Sequence, residues 1–188
     1  MTIFDGTPWR LSSSSDLDAL AVVDGLGRFA GSGPHYSRRT PGSKTFTGVG
    51  QEVVMVSRCG YAVWAVVRQK TPARRGSGGS RGRNGLADPG VRYVWRNMLF
   101  RRLEGCKLRA SDLIKLATRL TYEAWILRYG ELPIERLRTE IEISRVKSSN
   151  PGFCYLMAGY ERDRIVRGKL YLWAPLPTIL DLPIPSQL

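Results

Sequence analysis

The chain has 188 residues, with 29 basic and 16 acidic side chains and a formal net charge of +13. Its hydrophobic fraction of 43% excludes a disordered chain and allows one domain with a substantial core. The longest unbroken apolar run, 62–67, is far shorter than the ~20 residues that a membrane helix needs. The start of the chain lacks a basic-then-apolar leader. These features predict a cytoplasmic protein with no membrane partner.

The positive charge predicts a polyanionic partner, because a surplus of this size raises the local concentration of polyanions. Nucleic acid is preferred over solubility alone as the explanation. The three cysteines, Cys59, Cys106 and Cys154, are widely separated and form no C-x-x-C pair. This spacing favours a reducing compartment and argues against a disulfide framework or a zinc cage. His35 is the only histidine, so no metal site is predicted.

The N-terminal half predicts one helix and a pair of strands. Serines 12–15 followed by Asp16 and Asp18 are typical of a helix start, and the helix is expected to fray near Gly25 and Gly27. Residues 53–56 and 61–67 are β-rich and nearly all apolar. They predict a hairpin whose strands are covered on both faces.

Residues 70–90 differ sharply in composition from the rest of the chain. Glycine and serine separate several cations, among them Arg74, Arg75, Arg81 and Arg83. Such a segment cannot bury a core, and we expect a flexible basic insertion that lies on phosphates. An insertion tolerated at a hairpin tip remains the alternative.

The C-terminal half predicts the remaining sheet. Residues 91–100 alternate as a strand until Asn97, where a bulge is expected. A helix with apolar residues at 113, 116, 117, 120, 124 and 127 follows and closes at Gly130. A strand from Leu137 to Val146 should lie parallel to the earlier one. A short helix capped by Asn150, a hairpin across Gly168 and a proline-rich tail at 175–188 complete the chain.

These elements predict a single α/β domain over residues 1–188 with a central mixed sheet. The segment 148–160, SSNPGFCYLMAGY, follows the alternating strand and carries Tyr155 four residues before Gly159. This sequence motif resembles the C-terminal part of the GNAT acyltransferase fold, and most closely the bacteriophage Mom-like DNA-modification acyltransferases. The resemblance implies splayed parallel fourth and fifth strands. It also implies that Tyr155 protonates the departing coenzyme A thiolate, with Arg101 orienting the substrate.

The resemblance further implies acetyl-CoA or another acyl-CoA as cofactor, held at the turn after the fourth strand. The residues that match this role are Arg102, Gly105, Lys107, Arg109, Ser111 and Asn150. Lys107 departs from the pattern, since a small residue stands there in GNAT enzymes. An ordinary helix entry is the alternative for this turn.

The implied acceptor is an exocyclic base amine, with adenine in DNA preferred, and the expected nucleic-acid contacts include a loop that resembles the phage branch. That loop holds His35, Tyr36, Ser37, Arg38 and Arg39. Three alternatives stay open: Tyr155 as a packed core residue, a protein lysine or small amine as acceptor, and a non-enzymatic nucleic-acid-binding protein. The sequence leaves the acyl group and the oligomeric state open.

Overall fold

In the part of the chain that the structure describes, one sheet of seven strands has α-helices packed on its faces. The computed structural model describes residues 3–32, 43–47, 50–71, 92–146 and 148–177. The strands are β1 Trp9–Ser12, β2 Gln51–Ser57, β3 Ala62–Thr71, β4 Arg92–Arg102, β5 Arg138–Glu142, β6 Glu161–Val166 and β7 Lys169–Trp173. The helices in the described ranges are α1 Leu17–Asp24, α2 Ala110–Tyr129 and α3 Phe153–Met157, with 3-10 turns at Gly27–Ser32 and Ile143–Arg145.

The strand order is β1-β2-β3-β4-β5-β7-β6. Every neighbouring pair is antiparallel except β4 and β5, which are parallel because the long helix α2 returns the chain between them. The predicted mixed α/β arrangement, the β2–β3 hairpin and the parallel pair are therefore confirmed. The hairpin of β6 and β7 also forms where the sequence predicted it.

The middle of the sheet is buried on both faces. In β2, Val53 and Met55 belong to the core under α2 and α3, whereas Val54 and Val56 belong to the core under α1. The same alternation continues in β3, and all of these side chains are 0% exposed. A strand between two cores needs apolar residues at every position, which explains the unbroken apolar run in its sequence.

The first helix begins and ends as its sequence predicts. The Asp16 carboxylate accepts a hydrogen bond from the Ala19 N–H at 3.0 Å, and Gly25 ends α1 in the left-handed conformation. The short strand β1 before it was not predicted. Its Trp9 is fully buried and donates its indole N–H to the Leu113 carbonyl at 3.2 Å.

The long helix α2 follows its prediction except at one position. Leu127 was expected on the buried face but is 64% exposed. The buried face is turned towards Ile114, Thr121 and Trp125, which places Leu127 at its margin. The sequence did not predict this orientation, because Thr121 is polar and was not expected on the buried face. Its hydroxyl donates to the Ala117 carbonyl inside the core.

Two predicted bounds near α3 were wrong. The strand predicted from Leu137 to Val146 ends at Glu142, and a 3-10 turn follows. The helix begins at Phe153 with Gly152 at its N-cap, so Asn150 does not cap it. The backbone approaches the sheet so closely here that a Cβ at Gly152 would lie 3.0 Å from Ile141 Cδ1. This close approach fixes where the helix starts.

Within the described ranges, no helix is both long enough and apolar enough to cross a bilayer.

Candidate functional site

The parallel strands β4 and β5 pair over only two positions. Arg96 lies opposite Arg138, and Asn97 lies opposite Thr139. Beyond this point β4 continues to Arg102 and β5 continues to Glu142, without pairing to each other. The two strands therefore part, and the gap between them opens at Asn97.

A β-bulge in β4 lies at the same point. In the pairing of β3 with β4, Ala65 is opposite Leu99 and Val66 is opposite Asn97, so Met98 is the extra residue. A bulge bends its strand and increases the local twist. The irregularity predicted at Asn97 is confirmed, and it coincides with the parting of the strands.

The side chain of Asn97 holds this arrangement together. Its amide Nδ2 donates to the carbonyl oxygens of Ala65 and Leu99, both at 3.0 Å. Its Oδ1 accepts from the Tyr155 hydroxyl at 2.7 Å and lies 3.4 Å from the Thr139 hydroxyl. Asn97 is 3% exposed, and all four hydrogen-bonding positions of its amide are used.

Tyr155 projects from α3 to the point where the strands part. Its residue is 7% exposed, and its ring packs edge-on against Phe100 at 6.3 Å and Tyr160 at 5.1 Å between centroids. Its hydroxyl donates to the Asn97 amide at 2.7 Å and also lies within hydrogen-bonding reach of the Thr139 side chain. The phenol is thus packed in an aromatic cluster, while its hydroxyl lies beside the last paired position of β4 and β5.

Burial raises the pKa of the Tyr155 phenol far above its usual value, and the neighbouring Cys154 adds to the rise. The pKa of Tyr160 is also raised well above normal by burial. The Tyr155 hydroxyl therefore stays protonated throughout the physiological range. Chemically it is a hydrogen-bond donor and not a base.

The turn between β4 and α2 was predicted to bind phosphate. Gly105 has a φ of +95°, and a Cβ there would lie 2.9 Å from Tyr61 Cε1, so only glycine fits without strain. The Arg102 guanidinium donates to the Leu108 carbonyl at 2.8 Å and to the Cys106 carbonyl. Arg102 thus shapes the turn from within.

The other residues predicted to bind the cofactor are divided between two regions. Lys107 and Arg109 are exposed in the turn, and Ser111 is half-buried in the first turn of α2. Asn150 is exposed ahead of α3, where its backbone N–H bonds to the Ser148 hydroxyl at 3.1 Å. The structure brings the first three together at the start of α2 and leaves Asn150 on another segment.

Arg101 lies on the opposite face of β4 from the aromatic cluster. It alternates with Phe100, which contacts the Tyr155 ring, so its own side chain points to the α1 side. There its Nη1 donates to the Val23 carbonyl at 2.8 Å, and the residue is 8% exposed. The structure does not bring Arg101 to the Tyr155 hydroxyl.

A cleft of about 460 Å³ lies between α2, the end of α3 and the segment after β7. Lys115, Thr118 and Arg119 line one wall, and Gly159 and residues 175–177 line the other. The Thr118 hydroxyl is 2.9 Å from that of Tyr160, whose ring packs on Tyr155. Tyr160 therefore lies between the cleft and the candidate catalytic phenol.

Basic side chains gather on the sheet face that points away from Tyr155. Three of them surround the Glu140 carboxylate: Arg138 at 3.0 Å, Lys169 at 3.6 Å and Arg96 at 3.9 Å. The guanidinium groups of Arg138 and Arg164 lie 5.6 Å and 5.8 Å from the Tyr171 ring. Arg164 also pairs with the Asp163 carboxylate at 3.5 Å, so acidic groups offset part of this positive charge.

The remaining predicted contacts lie outside the described residues. These are His35, Tyr36, Ser37, Arg38 and Arg39 in the loop, and Arg74, Arg75, Arg81 and Arg83 in the basic segment. Most of the proline-rich tail, from 178 onwards, lies outside them too. Among the residues that the structure describes, no three His, Cys, Asp or Glu side chains are grouped closely enough to hold a metal ion.

The chain matches no family model, no curated protein and no solved structure. The geometry of the parted strands and the chemistry of their side chains therefore carry the functional argument.

Proposed function

We propose that the protein is a GNAT-type N-acyltransferase that uses an acyl-CoA and modifies an exocyclic amine of a nucleic-acid base, with adenine in DNA as the preferred acceptor. The observation that carries the proposal is the position of the Tyr155 hydroxyl. It lies on Asn97, at the point where the parallel strands β4 and β5 part.

The parting of the strands supports a binding slot. Where neighbouring strands stop pairing, backbone N–H and C=O groups along the gap lose their ladder partners. A backbone N–H in such a gap can polarise a carbonyl oxygen, as an oxyanion hole does. The bulge at Met98 adds an unpaired residue at the same place.

Tyr155 supports the second half of the reaction. An acyl-CoA supplies a thioester, whose sulfur leaves when an amine attacks the carbonyl. The phenol is protonated, is buried, and now donates to the neutral Asn97 amide. With substrate present, the hydroxyl turns from Asn97 to the leaving sulfur and donates to it. A positioned acid contributes about 10²- to 10⁴-fold to rate, and the raised pKa of this buried phenol, which weakens it as an acid, places it towards the lower end of that range.

The turn before α2 supports binding of the anionic part of the cofactor. Gly105 permits a tight turn, α2 begins immediately after it, and Lys107 and Arg109 add exposed positive charge. Backbone N–H groups at a helix start attract phosphate. Arg102 contributes indirectly, since its bonds to the Cys106 and Leu108 carbonyls keep the turn in shape.

Charge supports nucleic acid as the acceptor. The surplus of thirteen positive charges far exceeds what one pyrophosphate needs. The cations around Glu140 and the arginines beside Tyr171 add a basic surface within the described residues. The basic segment and the loop at 35–39 are proposed to contact the same polyanion.

Mass analysis of nucleosides tests this function. DNA and RNA from cells that express the protein would be digested and compared with those from cells expressing Tyr155→Phe. A new acylated nucleoside that depends on the Tyr155 hydroxyl is the expected result. If acyl transfer reaches only proteins or small amines, the acceptor assignment is wrong. If the chain binds DNA but no acyl group is transferred to anything, the enzyme assignment is wrong.

A further inference from the structure

Two cysteines that are far apart in sequence meet at the surface. The Sγ atoms of Cys59 and Cys106 are 3.8 Å apart, although 47 positions separate them along the chain. Cys59 is exposed in the turn between β2 and β3, and Cys106 is buried in the turn between β4 and α2. The third cysteine, Cys154, lies on α3, away from this pair.

The Ser57 hydroxyl stabilises the ionised form of the Cys59 thiol. Its oxygen accepts the backbone N–H groups of Tyr61 at 3.1 Å and Ala62 at 2.8 Å. These two bonds use both lone pairs, so the hydroxyl hydrogen is left to donate to the Cys59 sulfur at 3.2 Å. A donated hydrogen bond stabilises a thiolate, which is the reactive form of cysteine.

The pKa values of the two thiols are shifted in opposite directions, down for Cys59 and up for Cys106. Burial opposes ionisation of Cys59, but the Ser57 hydroxyl and the Tyr61 N–H outweigh it and lower the pKa of this thiol. Burial raises the pKa of Cys106, which therefore stays protonated beside it. An exposed thiol with a lowered pKa next to a second thiol is the usual arrangement of an oxidation-sensitive pair.

We propose that Cys59 and Cys106 form an oxidation site at which a peroxide converts the two thiols into an intrachain disulfide. The Cys59 thiolate attacks one peroxide oxygen, the O–O bond breaks, and a sulfenic acid and hydroxide result; the hydroxide takes up the proton that the Cys59 thiol released to solvent and becomes water. The Cys106 sulfur then attacks the Cys59 sulfur. The S–S bond forms, the S–O bond breaks, and the hydroxide leaves with the Cys106 proton as water.

The oxidation chemistry does not rest on acyl transfer, although Cys106 lies in the turn that is proposed to hold the cofactor phosphate. Closing the bond requires the sulfurs to approach from 3.8 Å to the length of a disulfide, about 2.05 Å. The exposed turn that carries Cys59 supplies this movement. The bond would tie the β2–β3 turn to the turn that holds Gly105, and reduction would release it.

The test uses the reduced full-length protein treated with hydrogen peroxide and then with a thiol-alkylating reagent. Of the three cysteines, only Cys154 should still be alkylated, and the mass before alkylation should fall by about 2 Da. Trypsin places Cys59 in peptide 59–68 and Cys106 in peptide 103–107, so the disulfide links two short, distinct peptides. A thiol reductant should separate them.

Two serine variants act as controls. Cys154→Ser should form the link at the same rate as the unchanged protein. This variant keeps the test informative even if Cys106→Ser fails to fold. Cys106→Ser should form no intrachain link and should accumulate Cys59 sulfenic acid. The proposal is overturned if Cys59 passes to sulfinic acid while Cys106 is still alkylated, or if the linked peptides come from two chains.

Discussion

Asn97 uses both ends of its amide to join three strands and a helix. Its Nδ2 donates hydrogen bonds to the Ala65 and Leu99 carbonyls across the bulge, and its Oδ1 accepts one from the Tyr155 hydroxyl. A buried polar group is stable only when its partners are present, so the bulge, the parting of the strands and the phenol position depend on one another.

Asn97→Ala should destabilise the protein by about 1–3 kcal/mol, because two carbonyls and two hydroxyls lose a buried hydrogen-bond partner. Urea denaturation measures the change. Asn150→Ala is the matched control: this asparagine is exposed and does not cap α3, so its loss should cost less than about 0.5 kcal/mol. Equal effects of the two substitutions would mean that the Asn97 network contributes nothing.

The sequence singled out Tyr155 but missed its partners. The tyrosine belongs to a recognisable local sequence motif with Gly159. By contrast, Asn97 and Thr139 lie 42 positions apart on two strands and meet only when these strands pair in parallel. The available signal was a polar residue that interrupts an apolar strand. It predicted the bulge, and it could also have predicted a buried hydrogen-bonded amide, since buried polar groups need partners.

The placement of α3 against the sheet depends on one glycine. Gly152 has a φ of +84°, and a Cβ there would lie 3.0 to 3.2 Å from the side chains of Ile141, Leu170 and Leu172. Gly130 at the end of α2 has nearly the same φ, +85°, but nothing lies within 4 Å of its Cβ position. The two positions share a positive φ but differ in crowding and in ψ, which is +1° at Gly152 and −34° at Gly130.

Gly152→Ala should therefore cost more stability than Gly130→Ala. The left-handed backbone alone costs roughly 1–2 kcal/mol for alanine, and overpacking adds about 1–3 kcal/mol at position 152. Thermal or urea unfolding of both variants measures the difference. Equal losses would show that α3 can move away from the sheet freely, which contradicts a fixed Tyr155.

Elements with strong periodicity were predictable and short ones were not. The central strands and α2 carry long apolar patterns, and their bounds were close to the observed ones. By contrast, β1 has only four residues, and the 3-10 turn at Ile143–Arg145 continues the alternation of β5 without pairing. The chain pattern alone does not show where a neighbouring strand stops, so the early end of β5 was missed.

For the whole molecule, alkaline pH should weaken folding through buried phenols. Burial raises the pKa of Tyr122, Tyr155 and Tyr160 in the folded state above the unfolded value of about 10. Their contribution is thus complete below pH 10 and is lost as the pH rises further, because the unfolded chain ionises first. Each phenol should cost about 1.4 kcal/mol at pH 11.

Denaturation at pH 8 and pH 11 measures this loss. Lysines and thiols also titrate in this range, so the comparison is with Tyr155→Phe, whose stability should fall by about 1.4 kcal/mol less between the two pH values. An identical fall in both proteins would mean that the Tyr155 phenol ionises as readily when folded as when unfolded.

Binding of duplex DNA should weaken steeply with salt if the positive charge serves nucleic acid. Arg74→Ala/Arg75→Ala would remove two of the proposed phosphate contacts and should reduce the slope of log K against log salt by about 2. Lys115→Ala/Arg119→Ala removes the same charge from the cleft on α2 and should change the slope by less. Equal changes would indicate a general charge effect, with no role for the basic segment as a specific contact.

The proposed mechanism depends on the Tyr155 hydroxyl, which is held where β4 and β5 part and is proposed to donate a proton to the departing thiolate. The most direct measurement is the rate of thiol release from an acyl-CoA by the purified protein with its nucleic-acid acceptor, compared between the unchanged chain and Tyr155→Phe. We expect kcat to fall by about 10²- to 10⁴-fold, with little change in KM, since only the transition state uses the hydroxyl. A Tyr155→Phe protein that transfers the acyl group at the full rate would contradict this mechanism.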